Sequence, residues 1–112
     1  MKLLKPEEEK IVKQYIQGIR KLVPHASSEI IMFGSKAREE SQKDSDIDIL
    51  VVIDTKDRLI KRKIQDLCWD VMFDNNFKAF LAPVILYKSE YLQYKKWNSS
   101  FLYNINQDGI RL

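Results

Sequence analysis

The run Gly34-Ser35-Lys36-Ala37-Arg38-Glu39-Glu40-Ser41-Gln42-Lys43-Asp44-Ser45-Asp46-Ile47-Asp48-Ile49-Leu50-Val51-Val52-Ile53 decides how this chain is read. Its second half, from Asp46 to Ile53, has the β-branched richness of a buried strand. Side chains alternate along a strand, so Asp46 and Asp48 are sent to one face. Paired ionised carboxylates at the end of an apolar strand repel each other and lose solvation, and they persist most easily with a divalent cation between them. Magnesium, a hard ion that takes one or two carboxylates plus substrate phosphates, suits the pair. Upstream, Glu29 to Phe33 reads as a second strand ending in Gly34, where the backbone can turn sharply and approach a ligand closely. Ser35 then opens a short helix over 35–39, whose free N–H groups favour phosphate.

Outward from this stretch, composition sets the frame. With 112 residues, 45% hydrophobic and 31% charged, the chain suits one core and a single domain over 1–112. Cys68 is the one cysteine, which excludes an internal disulfide; beside Trp69 in a helical pattern it reads as a core thiol. A reducing cytoplasm is the simplest setting. The opening MKLLKPEEEK is too charged for a signal peptide and the apolar runs are strand-length, so neither export nor a membrane span is expected. A net charge of +3 neither demands nor excludes nucleic acid.

The remaining pattern alternates helix and strand. Pro6 and Glu7-Glu8-Glu9 suit a helix start, with negative charge at the positive end of the dipole. Ile11, Val12, Tyr15, Ile16, Ile19 and Leu22 follow at helical spacing up to a stop near Pro24, and His25 lies beyond it in a loop. A second helix spans 57–73, with Leu59, Ile60, Ile64, Leu67, Cys68, Val71 and Met72 as its apolar stripe and Lys56, Arg58, Lys61, Arg62 and Lys63 opposite. That basic run reads as a solvated face, and nucleic-acid contact is the lesser reading. Asp74-Asn75-Asn76 ends the helix. Phe80 to Tyr87 reads as a third strand, in which Pro83 implies an edge position or a local irregularity. Ser89 reads as an N-cap. The aromatic tail from Trp97 to Leu112 reads as a last short helix ending near Gly109. The expected architecture is α+β: a short mixed sheet packed with helices.

The combination of an apolar strand, Gly34-Ser35, ten residues, and Ser45-Asp46-x-Asp48 before a second apolar strand resembles the signature of the DNA polymerase beta-like nucleotidyltransferase superfamily, and the short length points to its minimal nucleotidyltransferase branch. The resemblance implies a metal-dependent transfer of a nucleoside monophosphate, AMP foremost, from a triphosphate such as ATP to a hydroxyl acceptor. It assigns Asp46 and Asp48 to catalysis and to two Mg2+ ions. Gly34 and Ser35 would grip the terminal phosphates, with Lys36 and Arg38 neutralising their charge. It also implies a partner, because this branch often sits beside a small helical HEPN-type protein and acts as its antitoxin, in a homo- or hetero-oligomer. The aromatic tail would suit such an interface.

Two departures bear on activity. Glu39 stands where the family often has a second glycine, and the third strand lacks the carboxylate that active members usually bring to the metal. Asp74 and Glu90 flank that strand in positions that read as turn and cap. The alternative function is therefore a catalytically weak or inactive antitoxin that works by protein–protein binding.

Overall fold

The structure is a computed structural model, and it describes residues 4–24, 28–37, 46–97 and 99–112. Helix α1 (Pro6–Leu22) begins at the proline, whose missing N–H costs nothing in the first turn. Glu8 reaches back to accept from the Lys5 N–H at 2.9 Å, and the Val23 N–H closes the other end on the Ile19 carbonyl at 2.9 Å. Strands β1 (Ser28–Phe33) and β2 (Ile47–Ile53) follow, then α2 (Arg58–Asp74), β3 (Leu81–Tyr87), α3 (Lys88–Lys96), α4 (Ser100–Asp108) and β4 (Ile110–Arg111). The Asp57 carboxylate caps α2 by accepting from the Leu59 N–H at 2.9 Å.

The strands form one mixed sheet in the order β3-β2-β1-β4. β1 runs antiparallel to both β2 and β4, and β2 parallel to β3. The α+β expectation holds. Alternation along β2 builds a core on each face: Ile47, Ile49, Val51 and Ile53 pack with Ile11, Val12, Tyr15 and Ile19 of α1 and Ile64, Cys68, Val71 and Met72 of α2. Leu50 and Val52 turn the other way, onto Tyr91 of α3 and Leu102 and Ile105 of α4. Pro83 lies on edge strand β3, as its missing amide requires.

Four details differ from the sequence reading. Leu59, placed in the apolar stripe of α2, is 64% exposed at the first turn. Helix α3 starts after Tyr87 rather than at Ser89, because Glu90 reaches back three residues to accept from the Tyr87 N–H at 2.9 Å. Trp97 closes α3 instead of opening the tail helix, which is α4. Beyond Gly109 the chain returns to the sheet as β4, where the Leu112 N–H also donates to the Ile30 carbonyl at 2.9 Å. No helix among the described residues is long and apolar enough to cross a membrane.

Candidate nucleotide and metal site

The antiparallel register of β1 with β2 sets Phe33 directly opposite Asp48, so the next residue, Gly34, lies alongside the Asp48 carboxylate. Gly34 has φ +76°, the left-handed region that favours glycine. A Cβ there would overlap Asp48 Oδ2 and stand 3.2 Å from Asp48 Cγ. Glycine is thus required twice, by backbone conformation and by the carboxylate against it. Asp48 is half-buried, on the sheet face shared with Leu50 and Val52; Phe33, its neighbour across the strands, meets the Phe101 ring of α4 edge-on at 5.6 Å.

Asp46 is exposed and stands one residue before β2. The Ile47 N–H donates to the Phe80 carbonyl at 2.8 Å, so the strand pairing begins immediately after Asp46. On the parallel side Asp48 is in register with Ala82, which confirms that β3 brings no carboxylate beside it. Asp74 is the last residue of α2, and Glu90 caps α3 by accepting from the Tyr87 N–H at 2.9 Å, with Lys61 at 3.8 Å. Among the described residues, no group of three or more His, Cys, Asp or Glu could hold a metal ion.

Ser35 to Ala37, the described part of the helix expected over 35–39, form a turn closed by the Ala37 N–H donating to the Gly34 carbonyl at 3.1 Å. Arg38, Glu39 and Ser45, like His25, lie outside the described residues. Lys36, assigned from sequence to triphosphate charge, is turned inward. It is 3% exposed, and its Nζ lies 2.6 Å from Glu8 Oε2 on α1. Burial pushes the Glu8 carboxyl up, but the hydrogen bond from Lys36, the Lys5 N–H and the two lysine charges outweigh it and hold the group below its ordinary value. Glu8 escapes notice in the sequence because the run Glu7-Glu8-Glu9 already makes sense as a complement to the helix dipole. The signal was present, since Glu8 continues the buried stripe Ile11, Val12, Tyr15, Ile19 by one step of three.

A cleft of about 370 Å³ lies at the opposite end of the sheet, among Ser28, Val52, Asp54, Lys88 and Tyr91. Lys88 pairs there with Asp54 at 3.8 Å and Arg111 with Glu29, while the Lys95 ammonium lies over the Tyr91 ring at 4.9 Å. The Gly34–Asp48 end instead sets a carboxylate against a glycine turn, with an exposed acid two residues away.

A parallel β2–β3 pair, an antiparallel hairpin partner ending in Gly-Ser, and acids at the start of β2 define a nucleotidyltransferase-type fold. The family of the nucleotidyltransferase domain matches residues 12–102, and this chain belongs to it. It is 34% identical over 103 residues to the putative protein adenylyltransferase of Methanocaldococcus jannaschii, covering 91% of this chain and 94% of that protein. In fold it is similar to a chain in a crystal structure of a toxin–antitoxin with AMP-PNP. That likeness has a TM-score of 0.52 at 19% identity, over 88% of this chain and 69% of the other.

Proposed function

We propose that this domain transfers AMP from ATP to a hydroxyl of a protein acceptor, as the antitoxin member of a pair with a small helical HEPN-type protein in the cytoplasm. The observation that carries the reading is the abutment of Gly34 on the Asp48 carboxylate, which sets a backbone turn and a half-buried acid at one strand end. The adenylyltransferase relative supports the nucleotide and the protein acceptor, and the toxin–antitoxin neighbour supports the partner. Alternation carried one residue back past Ile47 turns Asp46 to the face of Asp48. Two carboxylates with triphosphate oxygens and water are a donor set that fits Mg2+, so Asp46 and Asp48 would hold it. When bound, the metal would neutralise charge building on the attacking and leaving oxygens.

The residues of the chain do the rest. The Gly34 and Ser35 backbone, with the Ser35 hydroxyl, orients the terminal phosphates so that the acceptor oxygen meets the α-phosphorus. A new P–O bond forms there as the bond to the bridging oxygen breaks, and pyrophosphate leaves. The proton of the acceptor hydroxyl passes to solvent base, because Ala82 occupies the β3 position beside Asp48.

A second reading, an antitoxin that acts chiefly by binding, is favoured by the same Ala82 and by exposed aromatics in α3 and α4, with Trp97 66% and Tyr103 63% exposed. One experiment separates the two. The domain is co-expressed with the protein encoded beside it, and transfer of label from [α-32P]ATP is measured with and without Mg2+. Labelled partner that disappears in Asp46→Asn and Asp48→Asn supports transfer; full labelling by either variant refutes the assigned site, and a stable unlabelled complex supports the binding role.

A further inference from the structure

Glu8 and Lys36 are the charged side chains in the core of the described structure, 6% and 3% exposed, and they pair with each other at 2.6 Å. Burying two opposite charges gains little stability over two apolar residues of the same size, because each loses its hydration. Stability alone therefore does not account for the pair.

Its placement does. Glu8 uses both oxygens: Oε1 accepts from the Lys5 N–H at 2.9 Å, which fixes the carboxylate to the frame of α1, and Oε2 takes the Lys36 ammonium. α1 is itself immobilised by Ile11, Val12, Tyr15 and Ile19, all fully buried. Lys36 sits inside the turn that the Ala37 N–H closes on Gly34, and the first residue of that turn lies on Asp48. The turn is therefore held from two sides, by the Asp48 carboxylate against Gly34 and by a rigid helix through Lys36.

We propose that Glu8 is a positioning residue for nucleotide binding: acting through Lys36, it sets the Gly34 and Ser35 backbone at the depth and angle that present its amides to the phosphates. Lys36 is then a strut and makes no contact with the triphosphate. The inference rests on the reading of Gly34, Ser35 and Asp48 as the phosphate and metal site.

The two roles for Lys36 predict opposite signs. If its ammonium served the phosphates directly, Glu8→Gln would release a competing anion and tighten binding. If it is a strut, Glu8→Gln weakens the anchor and loosens the turn. The experiment is calorimetric titration of the full chain with MgATP for wild type, Glu8→Gln, the apolar pair Glu8→Leu/Lys36→Met and the site control Asp48→Asn, with thermal unfolding of each. For Glu8→Gln we expect affinity lower by about tenfold, the scale of one misplaced charge-assisted hydrogen bond, with a folded chain. The apolar pair should unfold near the wild-type temperature and bind at least as weakly. Unchanged or tighter binding by Glu8→Gln overturns the positioning role, as does wild-type affinity in the apolar pair. Should Glu8→Gln fail to fold, the apolar pair decides by the same measurement. Wild-type affinity in Asp48→Asn would overturn the site reading itself, which distinguishes that failure from this one.

Discussion

Replacing Gly34 with alanine tests whether the turn is shaped by Asp48. The left-handed φ of +76° costs an alanine about 1–2 kcal/mol. Its Cβ would overlap Asp48 Oδ2 and crowd Cγ at 3.2 Å, so the carboxylate must rotate away or the strand end must shift, at about 1–3 kcal/mol for such overpacking. Gly34→Ala alone should thus destabilise by about 2–5 kcal/mol, the sum of these two terms. With Asp48→Ala in the same chain, Oδ2 and Cγ are gone and the nearest remaining atom is the residue-48 Cβ at 3.4 Å, an ordinary contact. There the glycine substitution should cost only its backbone share. Urea unfolding of wild type, both single variants and the double, read by linear extrapolation, gives the coupling directly. We expect about 1–3 kcal/mol, the overpacking share alone, and a MgATP affinity that falls in Gly34→Ala. Additivity within about 0.5 kcal/mol would refute the claim that the carboxylate dictates the glycine.

Other consequences follow from single contacts. The lowered Glu8 pKa means that its contribution to stability is fully present above the unfolded value of about 4.3 and is lost as pH falls through the folded value below it. The difference in unfolding free energy between wild type and Glu8→Gln should therefore shrink on acidification from about pH 6 to about pH 3, and a constant difference would contradict the pair. Tyr15→Phe removes a buried hydrogen bond from the hydroxyl to the Ile64 carbonyl at 3.0 Å that ties α1 to α2, and should cost about 1 kcal/mol in urea unfolding; no loss would mean the bond contributes nothing. Ala82→Asp would set a third carboxylate in register with Asp48, so it should lower the melting temperature without divalent cation and gain more from Mg2+ than wild type does. Equal shifts with Mg2+ in both proteins would count against a metal site there.

The parts of the fold legible in the sequence were those with a repeating signal. α1 shows its stripe every three or four residues, β2 shows its β-branched run, and Pro83 shows an edge. The tail carried weaker signals, because β4 is two residues long and lies in place through pairing with Ile31 and Met32, some eighty residues earlier in the chain. The start of its helix is set too early, at Trp97, because the break there has neither glycine nor proline to mark it. At the site, spacing points to Gly34, Ser35, Asp46 and Asp48 but not to the destination of Lys36, whose partner Glu8 is on another element, in an acidic run that suits the helix dipole.

What places Asp48 on Gly34 is finally the strand register, and the two cores alone do not fix it. Ile47, Ile49, Val51 and Ile53 fill one face of β2 while Leu50 and Val52 fill the other, and all six are buried. Slipping β2 by one residue against β1 would keep every side chain apolar over most of its length, since both faces are covered by helices. It would fail at the end, where Asp48 would turn onto the core under α1 and α2 and lose its water with no cation to meet it. In a strand that is apolar on both sides, the acids at its start are thus the residues that make the register unique. The same charge that would hold magnesium also tells the chain which way β2 must face.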